Sequence, residues 1–300
     1  MSKTILTRRE FLKTSASAAA AGALLLNRPD QLFAEEDATA AKTRVVLIRN
    51  KDVLGENNEV RGDIIADMID EAVVALTGED STEAAWKTVA GPGDVVGIKS
   101  NVWSYIPTPA ALEDVITKRL VSAGVEETDV SVDDRGVRGN PVFKKATVLV
   151  NTRPLRTHHW SGVGTLLKNY IMFDKQPSAY HPDSCADLAK LWVLPHVKGK
   201  TRLNILVALT PLFHGIGPHH YNPQYVWAYK GLLVGLDPVA VDATGVRILT
   251  AKRAEFFGED RPINPPPKHV YLADTRHHLG TADPHKIELI KLGWSDASLI

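Results

Sequence analysis

Residues 95–133 read VVGIKSNVWSYIPTPAALEDVITKRLVSAGVEETDVSVD. Val95–Lys99 is a short β-rich run. Pro109 is suited to open a helix over Ala110–Ala123, and Gly124 to close it. Val130–Asp133 is a second β-rich run. Strand, helix, strand in under forty residues is a βαβ unit, which implies parallel strands. The same alternation continues outward. On the N-terminal side lie a strand at Arg44–Arg49, a helix at Asp63–Leu76 stopped by Gly78, and a Ser81-capped helix ending at Val89. On the C-terminal side the pattern predicts strands at Ala146–Asn151, Leu203–Leu209 and Leu232–Leu236. It predicts helices at Ser161–Met172, Asp183–Leu194 and Val239–Phe257, then a last strand at His269–Ala273 and a last helix at His285–Leu292. The expected fold is α/β: a mostly parallel sheet with helices on both faces, Rossmann-like and three-layered. There is no G-x-G-x-x-G dinucleotide fingerprint. In such sheets ligands bind beyond the carboxyl ends of strands. The polar residues after Ile98, Val150 and Leu236 are therefore expected at one sheet edge.

The N-terminus has a different character. Arg8-Arg9-Glu10-Phe11-Leu12-Lys13 resembles a twin-arginine export motif, and a mild apolar run, Ser15–Leu26, follows it. That run is too short to span a bilayer, which takes about 20 residues. Residues 1–40 are accordingly expected to be a signal peptide and flexible N-terminus, with cleavage after Ala34 or Ala40 or retention as an anchor, and 41–300 one α/β domain. The expected partner is the twin-arginine machinery and the expected location is the periplasm or beyond. The mature form is expected to hold no membrane span. Lys and Arg number 35 and Asp and Glu 35, a balance that suits no nucleic-acid binder. Cys185 is the only cysteine, which excludes an intramolecular disulfide and a cysteine-ligated iron–sulfur cluster. Walker, G-x-S-x-G and H-E-x-x-H motifs are missing as well.

All eleven histidines stand at or after His158, seven of them between His158 and His220. Histidine is the commonest metal ligand and the usual acid–base group near neutrality. The segment His158–Asn169 follows a buried strand, where the fold places ligands. Its small residues, Gly162 among them, allow close approach of the backbone, and Lys168 lies two turns beyond Ser161. Lys99 and Asn101 follow another strand. Asp237 precedes Pro238 as a helix cap, and Asp242 falls on the apolar stripe of the helix that follows. A carboxylate there needs a partner, and Lys99 and Lys168 are the best candidates. Lys99, His158, Lys168 and Asp242 are thus expected to line one pocket. Breaking such a buried pair at Asp242 is expected to cost about 3–5 kcal/mol.

These pieces, in order, resemble the bacterial and archaeal family known as domain of unknown function 362. Val96-Gly97-Ile98-Lys99-Ser100-Asn101 is similar to its V-G-I-K-P-N, and Arg156-Thr157-His158 to its K-T-H. Gly162 through Lys168-Asn169 resembles its T-G-V-T-G-x-x-K-N, and Gly235 through Asp242 its G-x-D-P-V-A-x-D. Ser100 and Arg156 depart from the pattern, and the cluster domain of some relatives has no counterpart in a chain with one cysteine. A fainter similarity runs to the nickel-pincer lactate racemases. It implies a histidine–lysine–histidine pocket of His158, Lys168 and His181, with Leu166-Leu167 where those enzymes have a glycine pair.

The leading expectation is an exported enzyme acting on a small anionic substrate. In it His158 moves a proton, Lys168 and Lys99 hold negative charge, Asn101, Gly162, Asn169, Asp237 and Asp242 complete the binding site, and His181 with His214 offer ligands to a divalent metal. The alternatives are a metal or cofactor carrier using an exposed cluster such as His214, His219 and His220, and an accessory factor of an envelope complex.

Overall fold

The computed structural model describes residues 41–215 and 221–300. The expected export motif and signal segment, and also His219 and His220, lie outside these residues. Among the described residues eight strands form one sheet: β1 (Thr43–Arg49), β2 (Val96–Lys99), β3 (Val130–Asp133), β4 (Val148–His158), β5 (Gly162–Val163), β6 (Thr201–Leu212), β7 (Gly231–Gly235) and β8 (Ile287–Gly293). Their order is β3-β2-β4-β6-β7-β1-β8, with β5 folded back on β4. The sheet is mostly parallel; β7 alone on the main path runs against its neighbours. Every residue of β2, β4 and β7 is buried, as central strands covered on both faces require.

Two layers of helices cover the sheet. Helices α1 (Gly62–Thr77), α2 (Thr82–Val89) and α3 (Ala110–Ser122) pack together on one face. There Ile65, Met68, Ile69 and Val73 of α1 meet Val46 and Ile48 of β1. The short helices α4 (Pro141–Lys145) and α5 (Leu166–Asn169), and the longer α6 (Pro238–Phe257) and α7 (Lys268–Thr275), belong to the other face. Its core joins Val45 and Leu47 of β1 to Val239, Val246 and Leu249 of α6. Alternate residues of one strand thus feed two cores. Among the described residues no helix is long and apolar enough to cross a membrane.

Five elements differ from the sequence expectation. The strand expected to end at Asn151 continues to His158, because β6 extends alongside it. The helix expected over Ser161–Met172 begins only at Leu166, after the β5 turn, and passes into a 3-10 turn at Tyr170–Phe173. The helix expected over Asp183–Leu194 does not form, since Asp183, Ser184 and Cys185 all adopt left-handed backbone, φ 49°, 56° and 62°, and a 3-10 segment follows at Leu188–Val193. The last two elements exchange types. His269–Ala273 lies within helix α7, where His269, Val270 and Ala273 are buried at helical spacing. Residues 287–293 form β8, whose pairing with β1 supplies hydrogen bonds that a short helix would have to find within itself.

Candidate functional site

One row of residues crosses the sheet: Lys99 on β2 is level with Asn151 on β4, Asn151 with Asn204 on β6, and Asn204 with Gly235 on β7. The row is tied by side chains. Asn151 donates to Asn204 Oδ1 at 3.3 Å and to Leu166 O at 3.2 Å, while Asn204 donates to Leu236 O at 3.0 Å. Asn169, on α5, donates to Asn151 Oδ1 at 2.8 Å, Thr152 O at 3.1 Å and Lys99 O at 3.2 Å. Asn169 therefore locks α5 onto the end of β2 and the middle of β4. Beyond this row β2 has ended, and β4 carries Arg153, Arg156 and His158 onward, all buried.

Arg153 is the hub. It lies within electrostatic reach of Lys99, Asp134, Arg156, His158, Lys168, Asp242 and His269. Its Nε has no hydrogen-bond partner, and burial pushes the guanidinium down to about 10 against the pull of Asp134 and Asp242. Arg156 Nε is also unpartnered; its Nη1 makes one long bond, 3.5 Å, to Thr157 O, and its guanidinium stacks 4.1 Å over the Trp103 ring. Burial and the nearby Arg153 drive Arg156 well below the usual arginine range. Wholly buried His269 has no partner on either ring nitrogen; burial, Lys168 and Arg153 push it down to about 3, so it is neutral. Buried polar groups are nearly always satisfied. Here the orphaned atoms of Arg153, Arg156 and His269 stand among converging buried cations.

Of the residues singled out in the sequence, Lys99, His158, Lys168 and Asp242 stand around this hub. Lys99 is fully buried and bonds Asp134 Oδ1 at 2.5 Å and Ser100 O at 2.7 Å. Burial pushes Lys99 down to about 8 although Asp134 pulls the other way. Burial alone would raise Asp134, but Lys99, the Val102 N–H and Arg153 hold it below the ordinary aspartate value. Lys168 sits 3.4 Å from Cys185 Sγ; burial, Arg153 and Arg156 bring it down to about 8, and burial raises the thiol. His158 Nδ1 accepts from the Trp160 N–H at 3.2 Å, which places the ring proton on Nε2. Burial and the charges of Lys168, Arg156 and Arg153 push the imidazole far down, so it is neutral. Asn101, nearly buried, leaves its Oδ1 unpartnered.

Asp242 is satisfied otherwise than the sequence implied. No lysine pairs with it. Its carboxylate accepts from Thr165 Oγ1 at 2.7 Å and from the Leu166 and Leu167 N–H groups at 2.9 Å each. It therefore caps α5, the helix that carries Lys168, and Arg153 is a cation that favours its charged form. Burial still pushes it up to about 7.

Gly162 and Gly164 have distinct tasks. Gly162 has φ 74°, and a Cβ there would meet Pro265 O at 2.3 Å, so this glycine serves packing against the proline loop. A Cβ on Gly164 would stand 3.2 Å from Arg156 Cζ and 3.3 Å from His158 Cδ2, so both side chains press on this glycine.

Asp237 does not share this edge. Because β7 runs antiparallel, Leu236 and Asp237 emerge at the opposite end of the sheet. Asp237 caps α6 through Val239 N at 2.8 Å and accepts from Thr281 N at 2.8 Å. Helix α6 then climbs back, about 7.5 Å over five residues, and brings Asp242 to the site. Nor do the two histidines expected to bind metal meet. His181 packs on Trp160, ring centroids 3.9 Å apart, whereas His214 Nδ1 lies 2.8 Å from Arg253 Nη1 among Tyr225 and Phe257. Among the described residues no group of three or more His, Cys, Asp or Glu side chains is gathered to hold a metal ion.

The sequence reading passed over Arg153, Asp134, His269 and Cys185. Two had a signal. Asn151-Thr-Arg153-Pro-Leu-Arg156-Thr-His158 sets three basic side chains directly after a buried strand, and Asp134 directly follows β3, at the same sheet edge. His269 and Cys185 had none, since only the tertiary fold brings α7 and the 183–185 turn to Lys168.

Fold and site together define an α/β protein with a buried, cation-rich centre at the carboxyl ends of its parallel strands. Residues 126–247 match the family described as Domain of unknown function (DUF362), and the chain carries that domain. No curated protein and no solved structure matches the chain. The matched segment runs from the residues before β3 to mid-α6 and includes Asp134, Arg153, Arg156, His158, Lys168 and Asp242; Lys99 and His269 come from outside it.

Proposed function

We propose that this chain is exported through the twin-arginine pathway and acts as an enzyme on a small anionic substrate, held between Arg153, Arg156 and Lys168. The observation that carries the reading is the pair of buried guanidinium groups whose Nε atoms have no protein acceptor. Lys99 is matched by Asp134, so it belongs to the framework and not to the charge left for a ligand. Lys168, brought down to about 8, exchanges a proton readily near neutrality and is assigned proton transfer. His158, neutral with its proton on Nε2, is assigned a hydrogen-bond donor's role and not a base's. The export half of the reading rests on Arg8 and Arg9 and the apolar run after them.

Inorganic phosphate is the simplest probe. Phosphate at a hundred times its dissociation constant should stabilise the full chain by about 2.7 kcal/mol against unfolding. Chloride at matched ionic strength should do much less, and Arg153→Gln should abolish the difference. A wild-type chain whose melting temperature responds equally to phosphate, sulfate, acetate and chloride would refute the reading.

A further inference from the structure

Among the described residues two large aromatic side chains stand in solvent beside the buried cations: Tyr105, 53% exposed, and Trp160, 46% exposed. Each is linked to the anion site by direct contacts. Tyr105 is stacked on Tyr221 at 4.4 Å and meets the edge of Trp103 at 5.3 Å. Trp103 in turn carries the Arg156 guanidinium on its face at 4.1 Å. Arg156 and His158 both press on Gly164 and act on each other electrostatically. His158 stacks on His159 at 4.7 Å, and His159 packs on Trp160 at 4.2 Å. Trp160 is held from another side by His181 at 3.9 Å. A continuous series of flat groups therefore runs from solvent at Tyr105, past the buried guanidinium, and back to solvent at Trp160.

We propose that the anion bound here carries a planar aromatic group, which stacks on Trp160 and Tyr105 while its negative end reaches Arg153 and Arg156. This rests on the anion-binding reading above and names the substrate class within it. The aromatic side chains have a reason to be exposed if a ring covers them, because leaving half of a tryptophan in water forfeits the burial that such a residue ordinarily secures. The imidazole walls suit the same ligand. His158 is neutral, and burial, Lys168 and His159 push His181 down to about 4, so both are uncharged rings at neutral pH. Positive charge is thus buried, and the exposed groups beside it, Trp160 and Tyr105, are flat and uncharged. A ligand with a charged head and a flat tail matches both.

Phenyl phosphate and methyl phosphate share one head group and differ in the tail. Titration calorimetry on the full chain should find phenyl phosphate binding at least tenfold more tightly, as one ring–ring stack is able to supply. Trp160→Ala and Tyr105→Ala should each lower that ratio towards one while leaving the affinity for inorganic phosphate within twofold. Trp160→Phe, which keeps a ring, should retain most of the preference. Benzoate against acetate repeats the comparison with a carboxylate head and tells which head the site prefers. Inorganic phosphate bound by wild type with no preference for the phenyl ester would overturn this inference and leave the anion site standing. Binding of none of the four esters and carboxylates, nor of phosphate, would overturn both. A Trp160→Ala chain that loses inorganic phosphate together with the ring preference would also overturn it, by making Trp160 a support of the cations.

Discussion

Asp242→Asn tests the electrostatics of the site most directly, because its effect should depend on pH in a set direction. In the native chain the carboxylate is wholly buried and pushed up to about 7. Burial raises it, and the Leu167 N–H, the Thr165 hydroxyl, the Leu166 N–H and Arg153 only partly offset that. An unfolded chain offers it the ordinary value of about 3.9. A carboxyl group whose pKa is raised on folding stabilises the fold when protonated. That contribution is fully present below about pH 4 and is lost as pH rises through about 7. The gap corresponds to roughly 4 kcal/mol at 1.36 kcal/mol per pH unit.

Asparagine imitates the protonated carboxyl group and cannot ionise. At pH 4 the variant and wild type should agree within about 1 kcal/mol, because one acceptor oxygen remains for the α5 N–H groups and one hydrogen bond is at stake. By pH 8 the variant should have gained about 2–4 kcal/mol relative to wild type, as wild type alone bears the buried charge. Urea unfolding at both pH values, followed by tryptophan fluorescence, measures the difference. This outcome is opposite to the loss of about 3–5 kcal/mol that a buried lysine–aspartate pair would have implied. A stability difference that is flat between pH 4 and pH 8, or that moves against the variant, would refute the reasoning. It would mean that the three donors and Arg153 hold the carboxylate ionised throughout.

Two further outcomes follow from the same chemistry and from the N-terminus. Lys99→Met leaves Asp134 buried without its ammonium and should destabilise by about 3–5 kcal/mol in urea unfolding at pH 7, and adding Asp134→Asn should recover more than half of it; a single variant within 1 kcal/mol of wild type would show that the pair is not coupled. Replacing Arg8 and Arg9 together with lysine should leave the precursor in the cytoplasm, measured by fractionation, and undiminished export of that double variant would remove the twin-arginine reading.

The fold was legible because most of it is written locally. Val95–Lys99, Ala110–Ala123 and Val130–Asp133 carry their periods, caps and breakers in sequence, and they stand in the structure within a residue or two. Elements that depend on a distant partner were not legible. Residues 287–293 have apolar positions that suit an edge strand or a short helix, and β1, more than two hundred residues away, decides for the strand. The turn at 183–185 holds three left-handed residues without a glycine among them, and nothing in Asp-Ser-Cys announces that.

The site divides in the same way. Lys99, His158, Lys168 and Asp242 were identifiable because each follows a strand or breaks an apolar stripe. What joins them was not, since a strand read as ending at Asn151 leaves Arg153 and Arg156 in a loop, where arginine needs no explanation. Once β6 carries β4 on to His158, those two arginines lie inside a buried strand, where their charge is costly. The length of one strand thus turns unremarkable loop residues into the centre of the site. It also explains why Asp242 needs no lysine: α5 starts beside the extended strand, its first N–H groups point at the carboxylate, and the cation that acts on it is Arg153.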